Sequence, residues 1–139
     1  MDHPFIAQVA PKSTGREMFN LAWLETQLSG FNLKPQDIQA TLVSFTAQSL
    51  AAAINELNEP VDEVYICGGG VFNDQLMAQL QIALGPRALH STEKLGLDPT
   101  WVEACAFGWL AHQYINNQPG NLPSVTGASR EAVLGALYR

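Results

Sequence analysis

The chain has 139 residues, 47% of them hydrophobic and 14% charged, and its formal net charge is −6 at pH 7. This composition predicts one folded domain and excludes a disordered chain or a solvated coiled coil. The acidic balance argues against a nucleic-acid partner, which would require a basic surface. It does not argue against a nucleotide, since backbone N–H groups can hold phosphates.

Hydrophobic periodicity, capping residues and Gly/Pro breaks predict the elements in chain order. They are a loop at 1–17, helices at 20–28 and 35–57, a strand at 61–67, a helix at 73–84, a strand at 87–91, a helix at 98–115 and a loop at 119–128. The last ten residues fit a strand or a short helix equally well. Alternation of this kind predicts an α/β fold with parallel strands flanked by helices.

Three of these helices carry specific expectations. The helix at 35–57 is apolar on two sides, which predicts that it is mostly buried. Asp98 and Pro99 are predicted to open the last helix as its N-cap and first residue. Inward positions of the helix between the strands are Leu76, Met77, Leu80 and Leu84.

The strand at 61–67 is apolar enough for the centre of a sheet, with a neighbour on each side. The strand at 87–91 supplies one neighbour, and no other segment supplies the second, so we expect an incomplete sheet with missing strands upstream. An open apolar edge predicts dimerisation, element swapping or aggregation.

The cysteines, the histidines and the hydropathy of the chain predict its redox compartment, its metal binding and its relation to membranes. Cys67 and Cys105 form no C-x-x-C pair and lie among apolar residues, which predicts two buried free thiols in a reducing cytosol. His3, His90 and His112 share no metal-ligand spacing, so we expect no metal site on them. No segment approaches the ~20 apolar residues of a membrane span, and we expect a cytoplasmic protein without a membrane partner.

Three glycines, Gly68, Gly69 and Gly70, follow the first strand and precede the helix that Asn73 can cap. Such a turn lets backbone approach a nucleotide closely and leads to the N–H groups of a helix start. The alternative is a tight structural turn without a ligand. A dinucleotide-binding fold is disfavoured, because the third glycine of G-x-G-x-x-G is absent.

A polar loop near the N-terminus contains Lys12, Ser13, Thr14, Gly15 and Arg16. It is similar to the end of a phosphate-binding loop, but no glycine precedes the lysine at the required spacing. The segment is therefore either a ligand-binding loop or a polar surface loop.

Glu103 lies in an otherwise apolar helix. A carboxylate among such neighbours is unfavourable unless it is exposed or paired. Either it faces solvent near the positive end of the helix, or it accepts hydrogen bonds from a sugar hydroxyl.

Four segments, in order along the chain, resemble signatures of the anhydro-N-acetylmuramic acid kinases. They are 11–17 with 19–21 and 23–24; 67–70 with 73; 102–104 with 106–107 and 109–111; and 119–128. The resemblance covers nearly the whole chain.

This resemblance implies the C-terminal part of an RNase H-like, actin/hexokinase-type lobe in a two-lobed sugar kinase. Residues 1–34 would be a loop and short helix leading in, 35–117 the α/β core and 118–139 the tail. The family resemblance implies ATP and Mg²⁺ as cofactors in the complete enzyme. It implies hydrolytic opening and phosphorylation of 1,6-anhydro-N-acetylmuramic acid to N-acetylmuramic acid 6-phosphate, in bacterial peptidoglycan recycling.

The resemblance also implies roles for single residues. Gly68, Gly69, Gly70 and Asn73 would lie at ATP and Glu103 at the sugar. The loop formed by Lys12, Ser13, Thr14, Gly15 and Arg16 would lie near the cleft, with no role assigned.

Members of this family are longer, and two of their segments have no counterpart here. These are a Gly-rich hairpin that binds phosphate and a D-T-G-P-G-N-like stretch. The resemblance implies that the aspartate of this stretch is the general base for the attacking water. We therefore expect the chain to be inactive alone, to need the missing N-terminal lobe as a partner and to form a homodimer. The alternative is a non-catalytic nucleotide- or sugar-binding module.

Overall fold

The computed structural model describes residues 3–138, and its helices and strands alternate as predicted. They are α1 (Leu21–Leu28), α2 (Pro35–Asn55), β1 (Glu63–Ile66), α3 (Asp74–Leu84), β2 (Ala88–Ser91), α4 (Val102–Ile115) and α5 (Pro123–Thr126). Short 3₁₀ helices follow the two strands, at Gly69–Phe72 and Thr92–Leu95. The chain divides into a central unit, Gln36–Trp109, and a second unit formed by the segments before and after it.

The strands of the central unit pair in parallel, with Val64 opposite Leu89 and Tyr65 opposite His90. This confirms the predicted α/β class, and the sheet contains two strands in the part of the chain that is described. Strand β1 is shorter than the predicted 61–67 and less buried than a strand at the centre of a sheet. Glu63 is exposed and the rest of β1 is half-buried, because β1 has a strand neighbour on one side only within residues 3–138.

The core of this unit lies between the sheet and two helices. Its fully buried members are Ala47 and Ala51 of α2 with Leu80 and Leu84 of α3. Partly buried residues around them are Ile54, Val64, Ile66, Leu76, Ala83 and Leu89. The predicted inward positions Leu76, Leu80 and Leu84 of α3 are confirmed, whereas Met77 is half-buried and lies outside this cluster.

The prediction that α2 is mostly buried is wrong. The helix ends at Asn55, two residues before the predicted end, and only Ala47 and Ala51 are buried along it. Leu50, on its second apolar stripe, stays 42% exposed. The reason is that, among the described residues, the core of the unit meets only the side of α2 that carries Ala47, Ala51 and Ile54.

Helix α4 is equally apolar and has no buried residue. Trp101, immediately before it, and Phe107 are each 64% exposed. Both cysteines are exposed, so the prediction of buried thiols is wrong. Cys105 lies on this uncovered helix and Cys67 directly follows β1, so their apolar sequence neighbours do not enclose them. None of the helices in residues 3–138 is long and apolar enough to cross a bilayer.

Three polar side chains of the strands, Glu63, Tyr65 and His90, lie together with Lys94 of the following 3₁₀ helix. The Tyr65 hydroxyl donates a hydrogen bond to the Glu63 carboxylate, which also pairs with the Lys94 ammonium at 3.4 Å. Lys94 Nζ lies 2.7 Å from His90 Nε2. The tyrosine hydroxyl and then Lys94 lower the pKa of Glu63 below its ordinary 4.5, and the same hydrogen bond raises the pKa of Tyr65 above 10.0. The alternation of strand side chains thus separates this polar face from the core.

The second unit is held by aromatic contacts and by its C-terminal segment. The ring of Phe19 lies 5.2 Å from that of Trp23 and 4.7 Å from that of His3. Asn121 fixes the tail, since its Oδ1 accepts from the Ala132 amide at 2.7 Å. The tail predicted as a loop contains the single turn α5, and residues 130–138 form neither of the predicted elements.

Arg87 links three parts of the central unit. Its Nε donates to the Val61 carbonyl at 3.2 Å, and its Nη1 donates to Asn55 Oδ1 at 2.7 Å and to the Leu84 carbonyl at 3.3 Å. One guanidinium therefore connects the end of α2, the segment entering β1 and the last turn of α3.

We expect Arg87→Ala to lower the free energy of unfolding by about 2 kcal/mol, because it removes hydrogen bonds from a charged donor to three oxygens. Arg87→Lys should recover only part of this, since an ammonium lacks the planar fork. Urea denaturation measures both. The control is Arg130→Ala, an exposed arginine whose side chain bonds none of the described residues, with an expected change within about 0.5 kcal/mol. Equal losses at the two positions would contradict the linking role.

Candidate functional site

The glycine turn leaves β1 through an unusual backbone conformation. Gly68 has φ +77° and ψ −179°, a region that is essentially restricted to glycine. The chain then enters the 3₁₀ helix Gly69–Phe72, in which the Val71 amide donates to the Gly68 carbonyl at 3.3 Å. The predicted strand–turn–helix arrangement is confirmed, with this extra 3₁₀ turn between strand and α3.

The turn leaves space beside its backbone. A Cβ at Gly68 or Gly69 would meet no atom within 4 Å, whereas one at Gly70 would lie 3.4 Å from Leu76 Cδ2. Gly69 is exposed and its φ is not positive. Absence of side chains here therefore opens a surface on which a ligand can contact main-chain atoms.

Asn73 acts as the N-cap of α3, because its Oδ1 accepts from the Leu76 amide at 3.0 Å. This hydrogen bond satisfies one of the free amides of the helix start. The local structure thus explains the asparagine as a cap, and its contact with ATP stays a prediction.

The glycine turn is tied to the turn before α4. The Gly68 amide donates to the carbonyl of the buried Pro99 at 2.8 Å. Asp98 Oδ1 accepts from the Thr100 amide at 2.8 Å and from its hydroxyl at 2.6 Å. These two donors, the hydroxyl first, lower the pKa of Asp98 below its ordinary 3.8. The carboxylate is therefore ionised at neutral pH.

The prediction that α4 has Asp98 as its N-cap and Pro99 as its first residue is wrong by three residues. The helix begins at Val102, after a turn in which the Trp101 amide donates to the Asp98 carbonyl at 3.0 Å. The Asp98 side chain caps this turn rather than the helix, because its partner is Thr100. Sequence reasoning missed the connection to Gly68, although the spacing of Asp98 and Thr100 is typical of a side-chain-capped turn.

Glu103 lies in the first turn of α4, four positions after the proline that contacts the glycine turn. It is exposed, and its carboxylate bonds none of the described residues. Its negative charge suits the positive end of the helix. The structure therefore leaves this carboxylate available, and both interpretations from the sequence stay open.

The polar N-terminal loop is held by its own lysine. Lys12 Nζ donates to the carbonyls of Ile6 at 3.1 Å and Gln8 at 2.8 Å, and it lies 5.5 Å from the centre of the Phe5 ring. These contacts give Lys12 a structural role within the loop. The adjoining residues Ser13, Thr14, Gly15 and Arg16 are exposed.

Two contacts involve the segments that carry the resemblance. In the central unit, the glycine turn contacts the segment leading into α4. In the second unit, a Cβ at Gly127 would lie 3.8 Å from the Pro11 carbonyl oxygen, so the tail lies beside the polar loop. The predicted ATP-binding residues accordingly lie at the glycine turn and the start of α3, Glu103 lies in α4, and the other predicted residues lie in the polar loop. Across residues 3–138, no cluster of three or more His, Cys, Asp or Glu side chains could hold a metal ion.

Comparison with known proteins gives a consistent result. The family model described as anhydro-N-acetylmuramic acid kinase matches residues 1–139. Kinases of that name from Shewanella pealeana and Pasteurella multocida are each 52% identical to the chain over 99% of its length. The one from Idiomarina loihiensis is 51% identical over 98%.

An α/β unit with an open glycine turn after a parallel strand is typical of nucleotide-binding enzymes. Because the family model matches the chain throughout, the chain belongs to the anhydro-N-acetylmuramic acid kinase family. It spans 37% of the length of the three relatives named above.

The backbone of the turn predicts opposite outcomes for two neighbouring alanine substitutions. Gly68→Ala should lower the free energy of unfolding by about 1–3 kcal/mol, because its φ is accessible in practice only to glycine. Gly69→Ala should change it by less than about 0.5 kcal/mol, because the methyl group meets nothing and the φ is ordinary. Urea denaturation of both variants tests this. A loss at Gly69 as large as that at Gly68 would contradict the described turn.

Proposed function

We propose that this chain is the C-terminal-lobe portion, residues 1–139, of an ATP-dependent sugar kinase. The complete enzyme would open 1,6-anhydro-N-acetylmuramic acid with water and phosphorylate it to N-acetylmuramic acid 6-phosphate in peptidoglycan recycling in the cytoplasm. The observation that carries the proposal is the family match along the whole chain, at about half identity to the named kinases. The open glycine turn supports it, because it offers the kind of surface that a nucleotide requires.

In this proposal Gly68, Gly69 and Gly70 receive the adenosine side of ATP. The two open Cβ positions let the nucleotide contact main chain directly, and Asn73 orders the helix start that follows. ATP supplies the transferred phosphoryl group. The turn supplies binding and orientation, which are the main contribution of protein to phosphoryl transfer.

Glu103 is proposed to accept hydrogen bonds from hydroxyl groups of the sugar. The charged, exposed carboxylate without a partner in the described chain fits this role. Its place in the first turn of α4 sets it a few residues from the contact between Pro99 and Gly68. The sugar contact and the nucleotide turn would thus be connected through one short segment of backbone.

The remaining parts of the reaction are assigned to the rest of the enzyme. The general-base aspartate and the phosphate hairpin that the family resemblance implies have no counterpart in this sequence. Mg²⁺ is assigned to the complete enzyme as well. The chain alone is therefore proposed to be inactive, with the N-terminal lobe as its partner and with homodimer formation by the complete enzyme.

The first test is ATP binding by the chain itself, measured by isothermal titration calorimetry. Gly69→Ala should weaken binding by about tenfold or more, because a methyl group would occupy the space that the nucleotide approaches. The matched control is Gly108→Ala on α4, where a Cβ also meets nothing within 4 Å. Equal affinity in the Gly69 variant and the wild type would contradict nucleotide binding at this turn.

The second test replaces the matching segment of the Shewanella pealeana kinase with this chain. The chimera should phosphorylate the anhydro sugar, and the isolated chain should not. In the chimera, Glu103→Gln should lower kcat/KM for the sugar by about 10- to 100-fold, the value of a hydrogen bond to a charged group, while KM for ATP stays unchanged. Mass spectrometry of the sugar product measures both effects.

Glu56→Gln is the control for this chimera, since Glu56 is exposed and lies outside the candidate site. A well-folded chimera without activity would contradict the proposed function. If the chimera were inactive and the isolated chain still bound ATP, the results would favour the alternative, a non-catalytic nucleotide-binding module. Turnover by the isolated chain would contradict the assignment of the base to the missing lobe.

A further inference from the structure

Asp98 organises the segment that contacts the glycine turn. Its Oδ1 accepts two hydrogen bonds from Thr100, and its carbonyl accepts one from the Trp101 amide at 3.0 Å. Side chain and main chain of one residue therefore close the turn that encloses Pro99.

The direction of the Pro99 carbonyl depends on this turn. The proline ring fixes φ, so ψ is the remaining backbone freedom, and the two Thr100 bonds restrain it by fixing the next residue. The residue is buried and its carbonyl accepts the Gly68 amide at 2.8 Å. The geometry set by Asp98 thus reaches the glycine turn through a single hydrogen bond.

No side chain anchors the first two residues of the glycine turn. A Cβ at Gly68 or Gly69 would meet no atom within 4 Å, and glycine has more conformational freedom to lose than any other residue. The hydrogen bond to Pro99 is therefore a main restraint on the φ of +77° at Gly68.

We propose that Asp98 is a positioning residue for the nucleotide, acting through Pro99 on Gly68 without touching the ligand. This inference rests on the proposed function, in which the glycine turn receives ATP. Its chemical basis is preorganisation, because a turn already fixed in the binding conformation loses less freedom when the ligand binds. The lowered pKa of the carboxyl group means that the charged acceptor is present throughout the neutral range.

The test compares Asp98→Ala with Asp98→Asn, whose amide oxygen keeps the acceptor. Two quantities are measured on the chain: hydrogen exchange of the Gly68 amide by NMR, and the Kd for ATP by calorimetry. We expect Asp98→Ala to speed exchange and to raise Kd, each by about tenfold, as for loss of a capping side chain. Asp98→Asn should stay within about twofold of wild type on both.

The matched control is Asp37→Ala, which removes an exposed carboxylate from the first turn of α2. It should leave the Gly68 amide and the Kd unchanged. If Asp98→Ala fails to fold, Thr100→Val keeps the amide donor and removes the hydroxyl, and it should give the same two effects at smaller size.

The outcomes separate this inference from the proposed function. A wild-type Kd retained in Asp98→Ala, or an unchanged Gly68 amide, would overturn the positioning role even though ATP binds. Equal damage in Asp98→Asn and Asp98→Ala would also overturn it, because the retained acceptor should suffice. Absence of ATP binding by the wild type would count against the proposed function and the nucleotide part of the inference. Faster exchange in Asp98→Ala would then show that the backbone connection itself exists.

Discussion

The hydrogen bond from the Gly68 amide to the Pro99 carbonyl, 2.8 Å long, is the contact on which the geometry of the candidate site depends. It joins the end of β1 to the turn that precedes α4, so the open glycines and the carboxylate of Glu103 belong to one connected piece of backbone. The conformation of Gly68 is essentially restricted to glycine, and a Cβ at this position would meet no atom within 4 Å. The end of β1 and the turn before α4 are therefore joined directly by a main-chain hydrogen bond.

A second constraint is the amount of apolar surface that stays uncovered. Parallel strands are normally covered on both faces and paired on both edges, yet β1 has one strand partner in residues 3–138. Helix α4 has no buried residue, and Phe107 on it is 64% exposed. Such surfaces are unfavourable in water. The proposed function assigns them to the remainder of the kinase, and the match to 37% of the relatives' length is consistent with that.

Local signals in the sequence were sufficient to predict most helices and strands. They were not sufficient to predict which residues are buried by tertiary packing. The position of α3 could be predicted because Asn73 caps it and Gly85 ends it, both within the segment itself. Burial of Cys105 was predicted wrongly because it depends on what covers α4, which hydropathy cannot specify. The start of that helix was misplaced because Asp98 can cap either a helix or a turn, and its partner Thr100 decides between them.

The structure also separates motif residues by what their side chains already do. Lys12 donates to two carbonyls of its own loop, and Asn73 caps α3, so local structure is sufficient to explain both. Local structure does not explain Glu103 or Gly69 in the same way. Glu103 is an exposed carboxylate without a partner in the described chain. Gly69 is exposed, and its φ is not positive, so its backbone does not require a glycine. Because a polar group engaged within its own loop must break those bonds to bind a ligand, the geometry favours Glu103 and the glycine turn over Lys12 as points of ligand contact.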